Sequence, residues 1–147
     1  MIYALDTDTL IYMIRGLKTA SRRSAQRERA LVLVDKCRQA QKDGHRVGVS
    51  AVSVSELEFG ARRGGRYEDE IAAVRKVLAP FETYDYDAVT CPVHYGQIRH
   101  DLERAGLSIG AMDLLIAAHA LSLGGTLVTN NIEHFRRVPG LSVADWR

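Results

Sequence analysis

The sequence predicts an α/β fold in which a short parallel sheet of four to five strands is covered by helices on both faces. Short apolar stretches, typical of buried strands, alternate along the chain with longer segments of helical periodicity. The chain has 147 residues, 46% of them hydrophobic and 26% charged, which is ordinary for one globular domain. No repeat, linker or low-complexity stretch interrupts it, so we expect a single domain over residues 1–147.

The first half of the chain begins with an apolar, partly β-branched run that ends at Asp6, as expected for a buried strand. Thr7, Asp8 and Thr9 are residue types that cap helices, and a later helical pattern stops at Gly44. In chain order we expect a strand at 2–5, a helix from about residue 10, a polar basic loop at 16–24, a helix at 25–43, a strand at 47–50 and a helix at 53–63.

The second half is punctuated by residues that end helices. Pro80 and Gly106 each follow a helical pattern, and Gly124 follows the most apolar helix of the chain. In chain order we expect a helix at 67–79, a strand at 81–84, helices at 93–104 and 112–123, a strand at 126–129, a short helix at 133–137 and a strand at 141–143.

Composition argues against several protein classes. No apolar stretch reaches the ~18 residues that a membrane span needs. The apolar start of the chain lacks a preceding basic segment, so we expect no signal peptide and no membrane partner. Cys37 and Cys91 form no C-x-x-C motif and predict neither a disulfide framework nor a zinc site. We therefore expect a cytoplasmic protein.

Positive charge is concentrated in the first half of the chain. The net charge is +2, yet residues 1–76 carry 15 Lys and Arg against 10 Asp and Glu. The densest basic segments are residues 15–29 and 62–66. Such runs are usually solvated helix faces, and the alternative is contact with nucleic-acid phosphates. The side chains considered for RNA binding are Arg15, Lys18, Arg22, Arg23, Arg62 and Arg63.

Acidic and amide side chains stand where a parallel sheet would bring them together. Asp6 ends the first predicted strand, Glu56 lies on the helix after the second, and Asn131 follows the fourth. Ligands of such sheets bind beyond the carboxyl ends of the strands. These positions therefore converge on one rim of the predicted sheet.

Asp113 is an acid in apolar surroundings, since nine of the eleven residues from 111 to 121 are apolar. It is interpreted either as a first-turn Asp that complements the helix dipole or as an acid facing a site at the helix opening after Gly110. His119 lies about 240° around the same helix and is interpreted as a packing or surface histidine. The other histidines show no metal-ligand spacing.

Two further acids have competing interpretations. Glu56 and Glu58 lie about 200° apart on a helix, so only one of them can face the site. Glu56 has Gly60 on its own side, which would let a substrate or backbone approach closely and favours it modestly. Asp8 is either a helix N-cap or a direct or supporting metal contact.

A cluster of Asp6, Glu56 and Asp113 would call for a cation. Two carboxylates about 4 Å apart repel each other by roughly 4 kcal/mol at an effective dielectric of 20. Oxygen ligands without Cys or His select Mg²⁺, with Mn²⁺ as a substitute, over zinc. Such an ion keeps bound waters, which phosphodiester hydrolysis uses.

Four segments of the sequence resemble the PIN-domain ribonucleases, specifically VapC-type toxins of type II toxin–antitoxin modules. The resemblance covers nearly the full chain except the basic stretch at about 16–26. The segments are Leu5-Asp6-Thr7-Asp8-Thr9-Leu10-Ile11, Ser50-x-x-Ser53-x-x-Glu56-Leu57-x-x-Gly60, Ile109-Gly110-x-x-Asp113-Leu114-Leu115-Ile116-Ala117-Ala118-His119-Ala120, and Leu127-Val128-Thr129-Asn130-Asn131-x-x-His134-Phe135-x-x-Val138-Pro139-Gly140-Leu141.

The resemblance implies a single PIN-like domain that cleaves RNA, tRNA or rRNA, with Mg²⁺ or Mn²⁺, forms a homodimer and is inhibited by a small antitoxin protein. It places Asp6, Glu56 and Asp113 on the family's metal-binding, catalytic acids. Asn131 stands where many members carry a fourth Asp, which weakens the case for a second tightly bound metal. Thr129 falls on a hydroxyl position near the site, although strand-end packing explains it equally well.

Two other functions fit parts of the sequence. The segment Leu5-Asp6-Thr7-Asp8-Thr9 resembles the nucleophile motif of haloacid-dehalogenase-type phosphatases, with Asp6 as nucleophile, but no Lys follows Lys76 to serve as that family's later lysine. The other alternative function is that of a PIN-like module that binds RNA or a partner without catalysis. The retained carboxylates argue against it, because a mere RNA binder gains nothing from acids that face phosphate.

Overall fold

The five strands form one parallel sheet, as predicted. The computed structural model describes residues 1–18 and 24–147. The strand order is β3-β2-β1-β4-β5, and every neighbouring pair is parallel. The strands are β1 Ile2–Leu5, β2 Arg46–Ser50, β3 Glu82–Tyr84, β4 Thr126–Val128 and β5 Ser142–Ala144.

Helices connect the strands and cover the sheet. No helix within the described residues is long and apolar enough to cross a membrane. The helices are α1 Thr7–Lys18, α2 Ala25–Lys42, α3 Ala51–Arg63, α4 Tyr67–Leu78, α5 Cys91–Ala105, α6 Ala111–Leu123 and α7 Ile132–Phe135.

The central strands are buried on both faces. Leu5 and Val128 belong to one hydrophobic core together with side chains of α1 to α4. Their chain neighbours Ala4 and Leu127 belong to a second core together with side chains of α5, α6 and α7. Successive strand residues point to opposite faces, so the two cores lie on opposite sides of the sheet. This confirms the predicted class of a parallel sheet flanked by helices on both faces.

The predicted basic loop at 16–24 is wrong at its beginning, because α1 continues through Gly16 to Lys18. Gly16 packs closely on α2: a Cβ added there would lie 2.5 Å from the Cβ of Ala30. Contact between the two helices outweighs the low helix propensity of glycine. Arg22 and Arg23 fall within residues 19–23, outside the described residues.

The start of α1 also differs from the prediction. Its N-cap is Asp6, whose Oδ1 accepts a hydrogen bond from the backbone N–H of Thr9 at 2.8 Å. The N-cap interpretation of Asp8 is therefore wrong, and Asp8 lies in the first turn of the helix. Asp6 ends the strand and caps the helix, because β1 and α1 follow each other without an intervening loop.

Candidate functional site

Asp6 and Thr129 lie side by side at the carboxyl ends of the two central strands. Leu5 pairs with Val128 in the sheet, and the N–H of Asp6 extends this ladder by donating to the carbonyl of Val128 at 3.0 Å. The hydroxyl of Thr129 donates to Oδ2 of Asp6 at 2.5 Å. With Thr9 on Oδ1, both carboxylate oxygens of Asp6 are held in place.

Asp6 is a buried acid in an unfavourable electrostatic position. Its side chain is buried, with 2% of the residue exposed, and this desolvation raises its pKa to about 6. Hydrogen bonds from Thr129 and Thr9 oppose the shift, whereas the charge of Asp8 adds to it. The ionised carboxylate is therefore costly, and a cation at this position would relieve the cost.

Asp113 lies in the first turn of α6, which begins after the N-cap residue Gly110. Burial raises its pKa, the nearby His134 lowers it, and the charge of Asp8 raises it. The Nε2 atom of His134 lies 2.9 Å from Oδ2 of Asp113, although it is off the direction of a hydrogen bond. Because Asp8 acts on both Asp6 and Asp113, the three aspartates share one rim of the sheet.

Glu56 is attached to the same rim through Thr7. The Thr7 hydroxyl lies 2.6 Å from Oε1 of Glu56 and 2.9 Å from the hydroxyl of Ser53. Glu58 instead accepts a hydrogen bond from the Tyr67 hydroxyl at 2.8 Å. The two glutamates thus point to different sides of α3, with Glu56 on the side of the aspartates.

An open groove of about 500 Å³ joins the helices that carry these acids. Its lining includes Asp8 of α1, Glu56 of α3 and Met112, the residue that precedes Asp113 at the start of α6. This groove, which we call the acidic groove, opens the rim to solvent at Asp8 and Glu56.

The acids do not form a ready-made metal cage. Within residues 1–18 and 24–147, no three His, Cys, Asp or Glu side chains are close enough together to hold an ion. Glu56 is bonded to Thr7 and Asp113 lies against His134, so the acids share a rim without forming one closed cluster. Carboxylate oxygens beside a buried, strained Asp6 nevertheless match the ligand preference of a hard divalent cation.

Three of the basic residues considered for RNA binding line a neighbouring groove of about 300 Å³, which we call the basic groove. They are Arg15, Lys18 and Arg63, and Glu56 lines this groove too. Lys18 also forms an ion pair with Glu70 at 2.6 Å. The two grooves therefore adjoin at Glu56, which lines both.

Arg62 occupies a different environment from its neighbour. Its guanidinium carbon lies 3.9 Å from the centroid of the Tyr67 ring, on the side of α3 where Tyr67 binds Glu58. Its neighbour Arg63, by contrast, lines both the acidic and the basic groove.

Thr129 and Asn131 meet the site in different ways. Thr129 is fully buried, and its hydroxyl accepts a hydrogen bond from the N–H of Asn131 at 2.9 Å while donating to Asp6. The side chain of Asn131 is exposed. Asn130 carries a buried amide oxygen without a hydrogen-bond partner among the described residues.

Sequence reasoning assigned no chemistry to His134, which the structure places against Asp113. The signal was its position three residues after Asn131, in the short helix that follows β4. His119 is a packing histidine, as predicted. It is buried, and its Nδ1 lies 2.6 Å from the hydroxyl of Ser50, which caps α3.

Known proteins resemble the chain over almost its full length. The family model for the PIN domain matches residues 3–141. Ribonuclease VapC2 of Rickettsia felis is 34% identical over 99% of this chain and 98% of its own. A tRNA(fMet)-specific endonuclease VapC of Salmonella typhimurium is 39% identical over 69% of this chain and 76% of its own.

Solved structures of VapBC complexes contain chains with the same fold. The crystal structure of VapBC2 from Rickettsia felis, bound to a DNA fragment from its promoter, contains a chain with a TM-score of 0.85 and 31% identity, with full coverage of both chains. In the structure of DNA-bound VapBC from Salmonella typhimurium, the corresponding values are 0.83 and 31%, with 100% of this chain and 99% of that chain covered.

Proposed function

This chain belongs to the PIN-domain family and, within it, to the VapC ribonucleases, and from this we propose that it cleaves RNA at the rim formed by Asp6, Glu56 and Asp113 with Mg²⁺ or Mn²⁺ as cofactor. PIN-domain nucleases are metal-dependent as a class. The observation that carries the proposal is the placement of Asp6 and Asp113 at one rim of the sheet, where burial makes both ionised carboxylates costly and the charge of Asp8 adds to that cost.

Asp6 and Asp113 would hold the cation directly or through water, and Glu56 would complete the site or orient the attacking water. When bound, the cation lowers the pKa of a coordinated water and polarises the scissile phosphate. Asp8 would add a further negative charge to the cation site, whereas Thr129 and Asn131 would support the acids through the hydrogen bond of Thr129 to Asp6. Thr129 and Thr9 fix the orientation of the Asp6 carboxylate, and Thr7 fixes that of Glu56.

The substrate that we propose is structured RNA, with tRNA ahead of rRNA. The support is the relative from Salmonella typhimurium and one from Shigella flexneri, both named tRNA(fMet)-specific endonucleases. Arg15, Lys18 and Arg63 would bind phosphates next to the cleaved one, because they line the groove that continues from Glu56. Such contacts supply affinity with little sequence selectivity.

We also propose that the chain pairs with a small antitoxin, forms a homodimer and acts in the cytoplasm, where its RNA substrates are. The support for the antitoxin is the similarity to chains in VapBC complexes. Light scattering of the purified chain tests self-association, and co-expression with any short reading frame found next to its gene tests the antitoxin. A chain that stays monomeric would contradict the homodimer, and one that binds no such neighbouring product would contradict the antitoxin.

The test of the enzymatic proposal compares Asp6→Asn and Asp113→Asn with Asp35→Asn, an exposed acid on α2. Purified proteins are incubated with total RNA or tRNA in Mg²⁺ and in EDTA. We expect cleavage by the wild type and Asp35→Asn in Mg²⁺ only, and losses of about 100-fold or more in the two site variants. Undiminished cleavage by either site variant would refute the assigned role.

Thermal unfolding gives a second readout that does not depend on activity. A cation that binds the folded protein raises its melting temperature in proportion to its affinity and concentration. We expect Mg²⁺ to stabilise the wild type and Asp35→Asn but not Asp6→Asn. Cleavage without this shift would indicate a catalytic site elsewhere on the chain.

A further inference from the structure

Gly60 stands in the helix α3 without an internal reason to be glycine. It is exposed, and it is absent from the glycines with positive φ. A Cβ built on it would meet no atom of the described residues within 4 Å. Alanine would stabilise the helix better at such a position. Gly96 in α5 has the same features, so an external contact at Gly60 is inferred from where Gly60 lies rather than from its being a glycine.

Gly60 lies between the two grooves. It follows Glu56 by one helical turn and lines both the acidic groove and the basic groove. Arg63 lines both grooves as well. Because Gly60 has no side chain, the surface of α3 at this position leaves an open passage between the acids of the rim and the basic side chains.

Phe59 exposes an aromatic ring next to this passage. The residue is 66% exposed and lines the acidic groove, as does Met112, which is 50% exposed. The guanidinium carbon of Arg63 lies 5.8 Å from the centre of the Phe59 ring. Phe59 lies three residues after Glu56 on α3 and lines the same groove, and Met112 immediately precedes Asp113, so the rim has an exposed apolar side chain near each of these acids.

We propose that the Phe59–Gly60 step of α3 receives the nucleotide next to the scissile phosphate. Its base stacks on Phe59 in the acidic groove, on the side of Met112, and its sugar–phosphate backbone crosses Gly60 so that the following phosphate reaches Arg63. This rests on the proposed function. Unpaired RNA bases characteristically stack on aromatic side chains, and such stacking tolerates any base.

Charge favours RNA over a protein segment as the occupant. The passage over Gly60 leads from carboxylates suited to a cation and a phosphate to Arg15, Lys18 and Arg63. These three basic side chains outnumber the two carboxylates of the same groove, Glu56 and Glu70. A strand with an apolar base and an anionic backbone complements both the ring and the basic groove. An apolar peptide would complement the ring alone.

The first experiment measures binding in EDTA, where no cleavage is expected. The probe is a short, fluorescein-labelled, single-stranded oligoribonucleotide of mixed sequence, followed by anisotropy. We expect Phe59→Ala to weaken binding by about 5- to 100-fold and Phe59→Trp to restore it, as base stacking on an aromatic ring predicts. The control is Leu31→Ala, an exposed apolar residue on α2, which is expected to bind as the wild type does.

The second experiment compares Gly60→Ala with Gly96→Ala. Gly96 also lies within a helix, α5, and a Cβ built there also meets no described atom within 4 Å. Both variants are expected to melt at or above the wild-type temperature, because alanine favours a helix. Only Gly60→Ala is expected to lose RNA cleavage in Mg²⁺, by about 10-fold or more, as expected when a close substrate contact is displaced.

Wild-type affinity in Phe59→Ala, or wild-type cleavage in Gly60→Ala, would overturn the inference. So would a Phe59→Ala variant that binds the oligoribonucleotide normally but loses affinity for the antitoxin, since the ring would then be a protein contact. Failure of the proposed function would look different: the wild type would not cleave RNA in Mg²⁺ whatever residue stands at 59 or 60.

Discussion

The hydroxyl of Thr129 donates to Oδ2 of Asp6 at 2.5 Å, across the boundary between the two central strands. The same hydroxyl accepts the N–H of Asn131 at 2.9 Å. Thr129 therefore couples the conformation of the loop after β4 to the orientation of the acid after β1. The parallel register that pairs Leu5 with Val128 makes this contact possible.

Thr129→Val is expected to lower the free energy of unfolding by about 1–3 kcal/mol, because it leaves a buried carboxylate oxygen and an N–H without their partner. It should also weaken Mg²⁺ binding by about 10- to 100-fold, since Thr129 favours the ionised form of Asp6. Urea denaturation and the Mg²⁺-induced shift in melting temperature measure the two effects. Thr129→Ser keeps the hydroxyl and is the control; a valine variant that matches it would contradict the role.

Without divalent cations, the stability contributed by Asp6 should fall as the pH rises. The pKa of Asp6 is about 6 in the folded protein and 3.8 in the unfolded chain. Between pH 3.8 and about 6, the folded protein therefore holds a proton that the unfolded chain has released. The contribution is therefore present below about pH 4 and is lost by about pH 7, a change of about 3 kcal/mol. Urea denaturation in EDTA across this range measures it.

Asp6→Asn isolates this effect from other titrations. Asp87 and Asp145 have lowered pKa values and shift stability in the opposite direction at low pH. Because asparagine does not ionise, the stability difference between Asp6→Asn and the wild type should grow in favour of the variant as the pH rises from about 4 to 7. A difference independent of pH would show that Asp6 is not strained.

The fold could be predicted from the sequence because its signals are local. Apolar runs, helix-ending glycines and Pro80 lie at or near the observed element ends. The extension of α1 to Lys18 could not be predicted, because it depends on contact between Gly16 and Ala30 of another helix. Side-chain packing at long sequence separation leaves no mark in local periodicity.

Part of the candidate site could also be predicted. The rim position of Asp6 follows from its place at a strand end. Helical geometry predicts only that Glu56 and Glu58 point to different sides, and the preference for Glu56 rests on Gly60 and on the family resemblance. The structure places Glu58 against Tyr67. The contact of His134 with Asp113 joins residues on two different helices, and no spacing rule for metal ligands detects a single histidine beside a single acid.

Replacing His134 should shift the pH dependence of cleavage. The imidazole lies 2.9 Å from Asp113 and lowers the pKa of its carboxyl. In His134→Ala that pKa should rise, so the acidic side of the pH–rate profile should move to higher pH, with a loss of about 10-fold at neutral pH. His100→Ala, an exposed histidine on α5, is the control. An unchanged profile in His134→Ala would remove His134 from the site.

Glu56→Gln and Glu58→Gln form a matched pair on one helix. Glu56 faces Thr7 at the rim, whereas Glu58 binds Tyr67 on another side. We expect Glu56→Gln to lower RNA cleavage by about 100-fold or more and Glu58→Gln to leave it near the wild-type rate. Single-turnover cleavage of tRNA in Mg²⁺ measures both. Equal losses would mean that the charge of α3 as a whole matters rather than the position of Glu56.

Arg63→Ala should change the salt dependence of RNA binding more than Arg62→Ala. Arg63 lines the groove that leads away from Glu56, and the Arg62 guanidinium is stacked on Tyr67. Each phosphate contact with single-stranded RNA contributes about 0.7 to the slope of log affinity against log salt concentration. We expect Arg63→Ala to flatten the slope by about this amount and Arg62→Ala to leave it unchanged. Anisotropy titrations in EDTA over a range of salt concentrations measure the slopes, and equal flattening by both variants would place the RNA across the Tyr67 side of α3 instead.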